Sequence, residues 1–230
     1  MSAVLSDMFG MKENKVLDYL KIRGGWSKVG GAGALSEYSL KPVYGLPTTG
    51  FGDVSYAFLT GTLNNPNIKP ETTTGIEAGI DVKMFDNALR FNVTYYDQTS
   101  SDLVMPVQIS SATGYTAAYQ NVGEMRNKGI EVELNSTVYK SKGGFDVDFG
   151  VNFAKNNNEV VSIGGLESLV LGGQWSMTLE ARPGMPYGSI VGSYFERDDS
   201  GNIIHNNGLP VIAAGTKVLG NVQADWTGGA

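Results

Sequence analysis

The chain contains no cysteine among its 230 residues, which excludes disulfides and thiolate metal sites but leaves the compartment open. It also lacks any run of about 18 apolar residues, the length a membrane-spanning helix requires. That lack carries no weight against a β-barrel, whose lipid-facing residues are interrupted by a polar one at every second position. Basic residues are outnumbered, 17 Lys and Arg against 23 Asp and Glu, and the formal net charge of -6 argues against nucleic acid as a partner. Histidine occurs once, at His205 beside Asn206 and Asn207; a catalytic triad or zinc site needs partners the sequence does not offer. The opening "MSAVLSDMFGMKENK" has no basic-then-apolar leader. A complete secreted chain carries one, so the sequence reads as a cytosolic protein or an internal piece of a longer one.

What the chain does have is period-2 alternation, together with 31 glycines and 11 tyrosines. Ile76, Ala78, Ile80, Val82 and Met84 alternate with Glu77, Gly79, Asp81 and Lys83; then Leu89, Phe91, Val93 and Tyr95 alternate with Arg90, Asn92, Thr94 and Tyr96. Such alternation marks strands with one apolar and one polar face. A two-residue turn at Asp86-Asn87 explains the switch from even to odd numbers, because it sets Met84 opposite Leu89, Val82 opposite Phe91 and Ile80 opposite Val93. The same switch recurs between Ile130–Val138 and Phe145–Phe153. A turn near Ser141-Lys142 then predicts Val138 opposite Phe145 and Val132 opposite Val151.

The expected organisation is all-β: an antiparallel up-and-down meander with strands near 17–29, 73–85, 88–101, 128–139 and 144–156, and a strand start at 226–230. Between them the composition predicts long loops at 30–72, 102–127 and 157–225. Short turns alternating with long loops characterise outer-membrane barrels, with Trp26, Phe85, Tyr95, Tyr139 and Phe153 as interfacial girdle residues. A soluble carbohydrate-binding β-sandwich also alternates. The two differ in one respect: a barrel leaves Ile80 and Phe149 bare on their own face, whereas a sandwich buries them under a second sheet.

Several stretches carry a more specific resemblance. "NPNIKPETTTGIEAGID", "SSATGYTAAYQNVGEMRNKGIEVELN", "FDVDFGVNFAKNNNEVV" and "VLGNVQADWTGGA" resemble the C-terminal barrel of SusC/RagA-type TonB-linked (TonB-dependent) outer-membrane proteins, over about Leu20 to Ala230. The resemblance implies part of a large plugged barrel in the cell outer membrane that imports glycans or peptides. It implies a SusD-like surface lipoprotein and the TonB complex as partners, the latter through parts absent from this chain. It implies no catalytic site, cofactor or metal.

Among candidate chemistries, Glu131/Glu133 and Asp146/Asp148 each project to one face, and cross-strand pairing brings the pairs near each other, as a glycosidase requires. A hydrated barrel lumen is polar by default and accounts for the same row. "DDSGN" at 198–202 reads as a turn rather than a calcium loop. "GGAGAL" at 30–35 lacks the spacing of a phosphate loop, and the sequons at Asn92 and Asn135 fall inside strands. Substrate contacts are expected in the loops, at Tyr115, Tyr119, Trp175, Tyr187 and Tyr194. Rings there either stack on sugars or pack as the loops' own core.

Overall fold

The computed structural model describes residues 1–10, 15–33, 35, 40–41, 43–141 and 143–230. In chain order its first strands are β1 (Ser2–Val4), β2 (Leu17–Gly31), β3 (Tyr44–Gly45), β4 (Phe58–Leu59) and β5 (Thr62–Leu63). The long strands follow: β6 (Glu71–Met84), β7 (Leu89–Gln108), β8 (Ala117–Lys140) and β9 (Asp146–Ile163). Then come β10 (Leu169–Gln174), β11 (Met177–Ala181), β12 (Ser189–Gly192), β13 (His205–Asn206), β14 (Leu209–Pro210), β15 (Lys217–Asn221) and β16 (Thr227–Gly229). One antiparallel sheet dominates, with β1, β2, β6, β7, β8, β9 and β16 side by side in that order. No helix among the described residues is long and apolar enough to cross a membrane.

The first hairpin follows its alternation. Met84 pairs with Leu89, Val82 with Phe91 and Ile80 with Val93. Asp86 and Asn87 both have positive φ, 55° and 63°, as a type I′ turn demands, and the Ala88 N–H donates to the Phe85 carbonyl at 3.1 Å. Asp18 anchors the turn from the neighbouring strand, its carboxylate accepting from the Asn87 N–H at 2.9 Å.

The second hairpin keeps the predicted faces but not the predicted register. Val132 pairs with Phe153 rather than Val151, and Leu134 takes Val151 instead. The connection is longer than two residues: the Ser141 N–H reaches the Phe145 carbonyl, with Gly144 at φ 87°. Lys142, half of the predicted turn, lies outside the described residues. Val138 is the extra residue of a bulge between Thr137 and Tyr139, so it has no partner across the ladder and does not face Phe145. A slip of two positions leaves every side chain on its own face, which is why alternation cannot detect it.

The ladders also run further than the alternation. The region expected as a loop at 102–127 is mostly strand, since β7 extends to Gln108 and β8 begins at Ala117. A register shift beside Asp102, whose φ is 56°, breaks the phase of the pattern. The expected loop at 157–225 begins with the end of β9, which runs to Ile163, and then holds a separate four-stranded sheet, β10-β11-β12-β15. Within 30–72, Thr62 and Leu63 add parallel to Ala117 and Ala118, and β3 pairs with β4.

Burial is concentrated away from the long apolar row. Val160, Ile163 and Ala181 form the core cluster, with Met125, Leu169, Leu171 and Tyr187 packed on it. That core joins the small sheet to the inward side of the upper ends of β8 and β9. The apolar row itself stays open, Ile80 at 45% and Phe149 at 52% exposure. Among the described residues no second sheet covers it, so the sandwich alternative does not hold. The outward row is bare on its own face, as a barrel wall requires.

Candidate functional site

Opposite that wall lies a polar face, built from the intervening residues of the same strands. Arg23 of β2 donates to Asp81 of β6 at 3.4 Å and to the Thr94 hydroxyl of β7. Lys21 adds a second cation 3.6 Å from Asp81. Glu133 of β8 accepts from Asn92 at 3.2 Å and from Asn135 at 2.8 Å, so both sequon asparagines are spent inside the polar network. The Tyr96 hydroxyl donates to Asn156 at 3.0 Å. Arg23, Glu77, Thr94, Tyr96, Glu131 and Asn156 line a cleft of about 460 Å³ on this face.

Two glycines make that arrangement possible. A Cβ at Gly79 would fall 2.7 Å from Arg23 Nε, and one at Gly129 would fall 2.5 Å from the Tyr96 hydroxyl. Their missing side chains let an arginine and a tyrosine lie flat across neighbouring strands. No spacing motif in the sequence announces this.

The two carboxylate pairs do not converge. Glu133 stands opposite Asn152, whereas Asp148 stands opposite Thr137, whose hydroxyl it binds at 2.6 Å. Four ladder positions separate them, ~13 Å along the strand. The shifted register is the cause, and the glycosidase geometry is lost. Asp198 accepts from the Ser200 and Asn202 N–H groups at 3.0 and 2.8 Å and from the Asn202 amide at 3.2 Å, the geometry of a turn. The Asn202 bonds, chiefly, hold its carboxyl below the ordinary aspartate range. His205 is exposed, its Nδ1 2.9 Å from the Ile203 carbonyl oxygen.

The candidate aromatics are dispersed. Tyr115 is half-buried after the short turn at Ser111–Thr113. Tyr119 is half-buried within β8 opposite Pro106, and its carbonyl accepts from Asn65 at 3.1 Å. Trp175 sits at the tip of the β10–β11 hairpin, 96% exposed, with φ 54°. Tyr187 packs on the Val160–Ile163–Ala181 core, and its N–H donates to Asn158 at 2.8 Å. Tyr194 has the most developed surroundings. Lys217 Nζ lies 5.8 Å from its ring centre, and the two share a cleft of about 580 Å³ with Phe195, Arg197 and Leu219. Among the described residues no ring contact joins any of the five to another.

In the small sheet, Glu180 is buried and accepts from Thr178 at 2.6 Å and from Arg182 at 2.8 Å. The Thr178 hydrogen bond leads in holding its carboxyl below the usual glutamate range, and Arg182 adds to it against the cost of burial.

A twisted antiparallel wall, open and apolar on one side, polar and hydrogen-bonded on the other, with a short turn at one end of each hairpin, defines an outer-membrane β-barrel protein. The family follows from the sequence comparison. Residues 14–226 match the model of the TonB dependent receptor-like β-barrel, and the chain belongs to that family of outer-membrane receptors, which are not enzymes. It is 28% identical over 162 residues to TonB-dependent receptor P26 of Formosa agariphila, covering 70% of this chain and 16% of that protein. Against TonB-dependent receptor SusC of Bacteroides thetaiotaomicron it is 29% identical over 160 residues, 67% of this chain and 16% of SusC. The chain thus spans about a sixth of the length of these relatives. The RagAB peptide transporter superposes with a TM-score of 0.77 at 20% identity, over 99% of this chain and 26% of the solved one, a likeness of fold.

Proposed function

We propose that the whole receptor imports an oligosaccharide or a peptide across the outer membrane, with a SusD-like surface lipoprotein and the TonB complex, and that this chain supplies lipid-facing wall and substrate-touching loops. The observation that carries the reading is the family match over residues 14–226, with SusC among the relatives. Within the chain, substrate contact falls to aromatics at the long-loop end: exposed Trp175, half-buried Tyr115 and the strand residue Tyr119, and above all Tyr194, whose ring and Lys217 border a cleft wide enough for a sugar or side chain. Long loops on a rigid scaffold commonly carry binding, and aromatic rings present flat apolar area at low entropic cost. The polar face of the wall requires hydration rather than particular residues.

The test is growth on, and affinity for, candidate glycans and peptides by the full-length protein carrying Tyr115→Ala, Tyr119→Ala, Trp175→Ala and Tyr194→Ala together. Reduced uptake at unchanged surface level supports the reading. If that variant imports like wild type while Glu133→Gln abolishes uptake, the substrate is handled by the wall and the loop assignment fails.

A further inference from the structure

The outward face of the long strands changes chemistry at one level. Register sets Tyr95, Ile130 and Lys155 side by side across β7, β8 and β9, and the next outward row holds Asp97, Lys128 and Asn157. Below this level the face is apolar, with Val132 paired to Phe153. Above it, Arg126 stands opposite Glu159.

Asp97 faces Lys128 across the ladder and attracts it, but shares its charge with Arg126, which takes both of its hydrogen bonds at 2.8 and 2.5 Å. Among the described residues, neither Lys128 nor Lys155 has a carboxylate within 4.0 Å. The two lysines are diagonal neighbours on adjacent strands, ~7–8 Å apart at their Cα atoms, where like charges repel. Aromatic rings bracket them. Tyr95 is 45% exposed on one side; Trp226 is 62% exposed on the other and stacks on Phe153 at 6.1 Å between ring centres. Thr227 pairs with Ala154, which sets Trp226 next to Lys155 along the edge of the wall. Rings of this kind mark the membrane–water boundary. The long-loop end of the strands places this boundary in the outer leaflet.

We propose that Lys128 and Lys155 form a binding site for the phosphate of an outer-leaflet lipid headgroup, whose acyl chains run down over Ile130, Val132 and Phe153. A phosphate bridging the lysines relieves their repulsion, and flexible lysine stems reach upward to the headgroup plane while their methylenes stay on apolar surface. The apolar residues directly beneath favour a lipid over a free anion, because only a lipid satisfies both halves of the site.

The full-length receptor in detergent micelles tests this by lipid titration, reading unfolding temperature and native mass spectra. The probes are a monophosphorylated lipid A, its dephosphorylated counterpart and inorganic phosphate. The phosphorylated lipid is expected to bind and to raise the unfolding temperature. Lys128→Gln with Lys155→Gln should weaken it roughly 30-fold, while Lys140→Gln at the opposite rim leaves it unchanged. Lys128→Arg with Lys155→Arg retains the charges and should retain binding, so a poorly assembling glutamine variant does not shelter the proposal. Equal binding of the dephosphorylated lipid to wild type overturns it, as does equal stabilisation by inorganic phosphate. Wild-type affinity in the glutamine double variant overturns it as well.

Discussion

Gly79 leaves the space that Arg23 occupies: a Cβ there would sit 2.7 Å from Arg23 Nε. The guanidinium can therefore lie across β6 to reach both Asp81 and Thr94. Gly79→Val is expected to push the flexible Arg23 guanidinium off this path and to cost about 0.5–1.5 kcal/mol for the hydrogen bonds given up. Adding Arg23→Ala should then cost little more, because those bonds are already lost. Heat-modified gel mobility of the full-length barrel reads both effects, and equal mobility of the single variant and wild type would count against the close approach.

The bare outward row predicts a different sensitivity. Phe149→Arg places a charge on lipid-facing wall and should cost about 2–4 kcal/mol near the bilayer midplane, with loss of assembled protein at the cell surface. Asp148→Asn, one residue away on the polar face, should assemble normally. Normal surface levels of the arginine variant are incompatible with a lipid-facing row.

The small sheet should lose stability in acid. Glu180 has a folded pKa below its ordinary value, so its contribution is complete above the unfolded pKa and disappears as pH falls through the folded one. Limited proteolysis at the Trp175 hairpin is expected to accelerate across that acidic window in the wild type. Glu180→Gln should remove the pH dependence and cost about 1.5–3 kcal/mol at neutral pH, as for other hydrogen bonds to a charged group. An unchanged pH profile in that variant would sink the assignment.

Tyr194→Ala in the full-length protein should weaken substrate binding about tenfold if its ring is a contact surface, a difference of ~1.4 kcal/mol. Tyr187→Ala should instead loosen the small sheet, because that ring packs on Val160 and Ile163. Affinity and proteolysis measured on the same two variants separate binding from packing.

Much of the wall could be read before any coordinates, and the failures have physical causes. The first hairpin was legible because Asp86 and Asn87 tolerate positive φ and the flanking apolar rows fix their register. The second was legible only as faces: Val138 is a bulge, and a two-position slip conserves the alternation. Strand at 102–108 and 117–127 looked like loop because register shifts beside Asp102 break the phase of its alternation. Trp226 escaped notice as a boundary residue because only its neighbour Thr227, paired with Ala154, brings it beside Phe153. Gly79 and Gly129 are informative only once Arg23 and Tyr96 are seen lying over them.

The length of β8 has a further consequence. Its 24 residues run ~80 Å along the strand, while the apolar band is only ~25 Å tall. The same continuous ladder therefore passes from a medium where amide protons have no solvent partner into open water. Amide exchange along one strand should be slowest around Val132 and Leu134 and quicken toward Ala117, a gradient of local opening within a single hydrogen-bonded element. The receptor thereby joins a rigid foundation to a progressively looser crown without a hinge.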